Sequence, residues 1–276
     1  MEMPRPLDES DIEWLREYEC AVTNHFHQRF CTHAARFALG ERLVARFSES
    51  VAEVLKQGRA SFRAVDEVHN ELAVAEAILV DPAYVNATLH YEPKMENTSK
   101  SVDFLLENAD GRNLAIDVKT VKPCAIDRWD QYQKAIEEGW FPKNVLFSLW
   151  QDAEGGQLWH YAFASRCRFL EYSLELEAKA AFAGLASGNN RCMLMFCGEG
   201  FYWRQDQLED FVEFYRTGKH RSDDPFAIAE TRSNKKKGIR LAHNISVFGC
   251  LDRRQGDIVH RRVNWNVQPP RDSFSG

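Results

Sequence analysis

An α/β fold is predicted by three observations on the sequence. Hydropathy spacing switches from a helical to a strand period near Asp81-Pro82, three short strand-like runs then follow in quick succession, and the last two are joined by a tight polar turn, Asn108-Ala109-Asp110-Gly111. Helical patterns recur after these strands, so helices should flank the sheet. A chain of 276 residues with 44% hydrophobic and 28% charged side chains can bury a substantial core, which excludes disorder as its main character.

The elements are predicted in order. From about Ser10 to Gln57 the apolar positions Ile12, Leu15, Tyr18, Phe37, Leu43, Val44, Phe47, Val51 and Leu55 keep helical spacing. A further helix is expected from Asp66, read as its N-cap, to Leu79, stopped by Asp81-Pro82. Strands are expected over Tyr84 to Tyr91, Ser101 to Glu107 and Asn113 to Val121. Pro123 suits the start of a helix through Glu138, followed by strands over Asn144 to Trp150 and Leu158 to Phe163. Next come a helix over Arg168 to Leu185, a buried strand over Cys192 to Cys197 and a helix over Asp206 to Tyr215. A closing hairpin pairs Ile239 to Phe248 with Asp257 to Trp265. Three regions are thus expected: a helical segment at 1–60, a core at 61–200 and a basic extension at 201–276 packed on that core.

Composition narrows the function. No apolar run approaches the 18 or so residues needed to cross a bilayer, and Met1 to Pro6 lacks a basic and then apolar leader pattern, so a cytoplasmic protein without a membrane partner is expected. Seven scattered cysteines, none spaced as CxxC, indicate neither a disulfide framework nor a zinc ribbon and are expected to be buried thiols. The net charge of −6 is unevenly placed: Arg216 to Gly276 holds thirteen Lys and Arg against six Asp and Glu. Such asymmetry suits a polyanion-binding surface beside an acidic body, or a basic tail that balances that body.

The chemistry-bearing stretch runs from Ser101 to Thr120. Strand alternation puts Asp117 and Lys119 on one face of their strand and Ile116 and Val118 on the other. If Asp103 lies opposite on the hairpin partner, two carboxylates and a lysine converge. Close carboxylates repel, and a divalent cation is the natural way to keep both ionised. Glu71 sits on or beside the apolar stripe Val68, Leu72, Ala75, Ile78 and Leu79, where an acid rarely stands without a partner.

A helical acid, an Asp, and Asp-x-Lys on the next strand, in the order α-β-β-β-α-β, resemble the PD-(D/E)XK nuclease superfamily over roughly Arg63 to Cys197. Val102 stands where that family's name places a proline. The resemblance implies a restriction-endonuclease-like core, with a mixed central sheet flanked by helices, carrying N-terminal helices and a C-terminal hairpin. It further implies an Mg²⁺-dependent or Mn²⁺-dependent endonuclease hydrolysing phosphodiester bonds, with the metal on Asp103, Asp117, the Val118 carbonyl and Glu71, and with Lys119 positioning water or offsetting transition-state charge. The partner would be nucleic acid, DNA ahead of RNA, and cutting both strands of a duplex would favour a homodimer.

In many members of that superfamily a polar or basic residue of the following helix reaches the site, which makes Gln131 and Lys134 candidates. Lys235, Lys236, Lys237 and Arg240, with the pairs Arg253-Arg254 and Arg261-Arg262, are candidate phosphate contacts. His25, His27, Cys31 and His33 carry soft ligands, but their helical spacings do not gather four of them on one face. The alternatives are an inactive nucleic-acid-binding or assembly protein on the same fold, and a hydrolase of small phosphate esters.

Overall fold

The computed structural model describes residues 5–93, 101–121, 169, 172–177, 179, 190–198, 205–217, 243–253 and 256–268. The expected helix at 123–138 and strands at 144–150 and 158–163 lie outside them. Within the described residues the chain is α/β, a mixed six-stranded sheet with helices on both faces.

Three helices open the chain: α1 (Glu9–Thr32), α2 (Gly40–Gln57) and α3 (Arg63–Val80). Helix α1 starts at Asp8, which accepts the Asp11 amide while Asp11 accepts the Asp8 amide in return, so two of the four orphan donors of a helix start are satisfied. Helix α2 ends at Gly58, whose φ of 63° is the left-handed value that glycine adopts without steric cost. The apolar stripes of the three meet in one core through Leu15, Phe26, Phe47, Val51, Leu72 and Ile78, all essentially without exposure.

A single 3-10 turn, Pro82–Tyr84, leads to β1 (Thr88–Tyr91), β2 (Phe104–Glu107) and β3 (Asn113–Val121), an antiparallel meander. The β2–β3 turn is closed by the Gly111 amide donating to Asn108 O, with Gly111 at φ 76°. Strand β4 (Asn190–Gly198) runs parallel to β3, and β5 (Ile245–Asp252) parallel to β4. Strand β6 (Arg262–Asn264) closes the sheet antiparallel to β5, in the order β1-β2-β3-β4-β5-β6. The first strand is shorter than expected because Pro82 and the turn after it take its beginning, and the closing hairpin pairs only Cys250 to Asp252 with Arg262 to Asn264.

Strand β4 is buried on both faces, as its continuous apolar run requires. Met193, Met195 and Cys197 enter the core under α1 to α3, while Cys192, Leu194 and Phe196 enter a second core with Phe169, Leu176 and helix α4 (Gln205–Thr217). Helical residues 172–177 belong to this second layer. Cys192, Cys197 and Cys250 are buried thiols as expected, whereas Cys20 and Cys31 are exposed, because they fall on the solvent side of α1. Among the described residues no helix is long and apolar enough to cross a membrane.

Two expectations are corrected by one ion pair. Asp66 does not cap α3, which begins three residues earlier without a side-chain cap; it is buried, 3.6 Å from the buried Arg253. Arg253 is therefore no phosphate contact. Its guanidinium donates to Asn70 Oδ1 (3.0 Å), to Tyr18 Oη (3.2 Å) and to the Asp257 carbonyl, tying the chain after β5 to α1 and α3. Tyr18 in turn meets His69 Nδ1 at 2.5 Å, and His69 Nε2 donates to Ile258 O. Burial and the nearby Arg253 push the His69 imidazole far below the usual histidine range, so it is neutral. Arg253→Ala should destabilise the fold by roughly 3–5 kcal/mol, because it strips a buried carboxylate of a cation and three polar groups of a donor. Urea unfolding followed by circular dichroism measures that loss, and Arg253→Lys should recover only a minor part of it.

Candidate active site at the start of β2

The β2–β3 ladder pairs Phe104 with Ile116, and one residue further Asp103 stands opposite Asp117. There the ladder stops, and the Asp103 side chain takes over: its Oδ2 accepts the Val118 amide at 2.6 Å. On its other side the Asp103 carbonyl accepts the Glu92 amide at the end of β1. The predicted carboxylate is thus fixed between two strands by main-chain bonds, in the place where pairing would otherwise continue.

Asp117 has no exposure at all. Its Oδ1 accepts from Lys179 Nζ at 2.7 Å, and its Oδ2 lies 3.0 Å from Lys119 Nζ. Even so, Oδ2 accepts no aligned hydrogen bond, an unusual state for a buried carboxylate oxygen. Lys119 also lies 3.7 Å from Glu175 and 5.7 Å from the centre of the Tyr172 ring. Burial alone would depress its ammonium, but the Asp117 and Asp103 carboxylates outweigh that and hold it well above the usual lysine range.

Glu71 is buried, as its place on the α3 stripe predicts, and it has partners. Its Oε2 accepts from Arg46 Nη1 of α2 at 2.9 Å and from the Tyr91 hydroxyl at 3.1 Å, while Arg46 also contacts that hydroxyl and Glu92. Asp103 stands electrostatically between Glu71 and Asp117. Burial, then the neighbouring Asp103, raises the Glu71 carboxyl to about 8 despite Arg46. Burial and Asp117 raise Asp103 to about 6, although the Val118 amide and the two lysines oppose the shift. The mutual repulsion expected of three bare acids is answered in part by Lys119, Lys179 and Arg46.

Sequence reasoning missed Lys179. A helix over Arg168 to Leu185 was expected, and Tyr172, Glu175 and Lys179 fall at i, i+3 and i+7 along it, beside the buried positions Phe169, Ser173 and Leu176. Such a polar stripe reads as a solvated face until the sheet is placed against it. Gln131, Lys134, Lys235, Lys236, Lys237 and Arg240 lie outside the described residues. Among the candidate arginines that are described, Arg261 pairs with Asp257 and Arg262 sits exposed on β6.

Asp103 and Asp117 are oxygen donors of the kind a hard divalent cation takes, although their ligand atoms and that of Glu71 do not gather within 4.8 Å of one another. Asp103 and Asp117 offer oxygen, Asp117 has an enclosed oxygen without a hydrogen bond, and Mg²⁺ needs only one or two carboxylates when phosphate and water complete its shell. Glu71 is drawn away towards Arg46, so it would join through a water or after releasing that partner. In comparisons with known proteins, no family model, no curated protein and no solved structure matches this chain.

The raised carboxyls set the sign of a pH effect. Glu71 and Asp103 hold protons more tightly folded than unfolded, so their contribution to stability is complete below the ordinary carboxylate range near 4 and is lost as pH rises through about 6 and about 8. The neutral His69 and His260 act in the opposite direction at lower pH, so a comparison of variants isolates the acids. In EDTA, the urea midpoint of Glu71→Gln should fall less than that of the wild type between pH 5 and pH 8.5. An equal fall in both proteins would contradict the burial of an ionisable Glu71.

Proposed function

We propose that the chain is a metal-dependent nuclease of the PD-(D/E)XK kind, acting on phosphodiester bonds of nucleic acid, with DNA ahead of RNA as the polymer. The observation that carries this reading is the register placing Asp103 opposite Asp117, with Lys119 on the same face as Asp117. The element order supports it: α3, then β1 to β3 as an antiparallel meander, then helical residues 172–177, then β4 parallel to β3. A restriction-endonuclease-like core is the finer form of this α/β fold that we propose.

On this reading Asp103 and Asp117 hold Mg²⁺ or Mn²⁺, with the Val118 carbonyl and Glu71 completing the protein's share. When bound, the ion supplies Lewis acidity towards the phosphoryl group and lowers the pKa of a water. Lys119 stays protonated beside two carboxylates, so its part is electrostatic: it faces the reacting phosphate as a fixed cation and is no proton acceptor. Lys179 orients Asp117 through Oδ1, while Oδ2, the oxygen an ion would take, faces Lys119 Nζ at 3.0 Å. Arg46 holds Glu71.

A second reading follows from the same lysines. Two ammonium groups on one buried carboxylate neutralise it without metal, as a nucleic-acid-binding scaffold without catalysis would require. One experiment separates the readings. Wild type, Asp117→Ala, Lys119→Ala and Lys179→Ala are incubated with supercoiled plasmid, linear duplex, single-stranded DNA and RNA, in Mg²⁺, Mn²⁺ or EDTA. Cleavage should require metal, vanish in Asp117→Ala and fall by ~10²–10³-fold in Lys119→Ala. Salt-sensitive binding that survives EDTA and Lys119→Ala, with no cleavage of any polymer, would establish the scaffold instead.

A further inference from the structure

Three side chains of metal-ligating type meet where α1 hands over to α2. His27 and Cys31 are one helical turn apart on the solvent face of α1, and the Cys31 Sγ lies 3.7 Å from His27 Nε2. Glu41, in the first turn of α2, completes a group whose three ligand atoms all lie within 4.8 Å of one another. All three side chains are exposed, and Cys31 is a free thiol. Zn–S and Zn–N bonds of about 2.3 and about 2.05 Å at a tetrahedral angle require the two atoms to be about 3.6 Å apart. The helix therefore presents the sulfur and nitrogen at almost the separation zinc imposes.

The backbone that carries Glu41 is placed by the packing of the helix junction. A Cβ on Gly40 would stand 2.9 Å from Phe30 Cβ and 3.0 Å from Phe37 Cδ1, so only glycine lets the start of α2 come this close to the end of α1. The connecting turn is anchored by Arg36, which donates to the carbonyls of Ala87, Leu79 and Tyr84 and whose own carbonyl accepts the Leu89 amide. Little ordering remains to be done when an ion arrives.

We infer that His27, Cys31 and Glu41 bind a zinc-like divalent cation, with the fourth position open to water. A thiolate and an imidazole select Zn²⁺ or Co²⁺ over Mg²⁺, which separates this site from the oxygen-donor site at Asp103 and Asp117. Binding releases the Cys31 thiol proton, and affinity rises with pH accordingly. The bound ion would clamp α1 to α2.

The test is a Co²⁺ titration of the full chain, because cobalt on a thiolate gives a near-ultraviolet charge-transfer band that carboxylates cannot give. The wild type should develop the band to one equivalent and lose it on adding Zn²⁺. Cys31→Ser should abolish it, His27→Ala and Glu41→Ala should each weaken Co²⁺ affinity at least tenfold, and Asp117→Ala should leave it unchanged. Because all three ligands are exposed, circular dichroism should show each variant folded. A band that survives Cys31→Ser, or that keeps its affinity in both His27→Ala and Glu41→Ala, would reduce the site to adventitious thiol binding and overturn the inference; so would the absence of any band in the wild type.

Discussion

A carboxylate with no exposure needs cations, and much of the described structure around β3 answers that need at Asp117. An isolated buried charge costs several kcal/mol even after relaxation, and the penalty is met only by close partners with good geometry. Lys119 arrives from the same strand two residues on, whereas Lys179 must be brought in by a helix packed across the sheet face. The second core, Phe169 and Leu176 against Phe196 and Phe248, places that helix. Packing there is therefore what brings Lys179 to Asp117. The pair is weak evidence for stability, since an apolar core of equal volume would serve as well.

Two ends of the same arrangement are handled differently. On the α1–α3 side Glu71 is supplied with an arginine and a tyrosine hydroxyl from α2 and β1, and on the other side Asp117 is supplied with two lysines. Asp103 sits between them, at the point where the β2–β3 ladder stops, with its Oδ2 accepting the Val118 amide and its carbonyl the Glu92 amide. The strand end thus converts a backbone pairing position into a carboxylate site. That conversion costs one rung of sheet and leaves a fixed acid with its strands already braced.

The legible part of this structure is what local pattern determines. Strand β3 has the bounds expected of it because alternation, the Asn108–Gly111 turn and the following break at Pro123 are all local features of one short stretch, and with β3 come the opposed Asp103 and Asp117. Glu71 was visible because an acid on an apolar stripe is conspicuous. What local pattern cannot convey is how one element faces another. Lys179 and Arg253 are both basic residues at the border of a buried stripe, and each was misplaced or missed for the same reason: its partner lies 62 or 187 residues away, as Asp117 and Asp66 do. Asp66 looked like a cap because caps are local, and its actual partner is not. The His27, Cys31 and Glu41 group is a halfway case, since the helical pair is written in the sequence and the third ligand depends on the close approach at Gly40.

Charge balance at the candidate active site carries the argument one step further. Glu71, Asp103 and Asp117 are met by Arg46, Lys119 and Lys179, and two of these cations also reach the outer acids Glu92 and Glu175, so much of the acids' charge is already answered without metal. A divalent cation entering alone would add two more positive charges to that enclosure. A phosphodiester entering alone would meet Asp103 and Asp117 at close range. On the proposed nuclease reading, each therefore supplies the charge the other lacks, and the ion and the phosphate should bind with positive coupling, which thermodynamic linkage makes reciprocal. On that reading the two lysines that pair with Asp117 would hold the site together without ligands and would disfavour occupancy by metal alone.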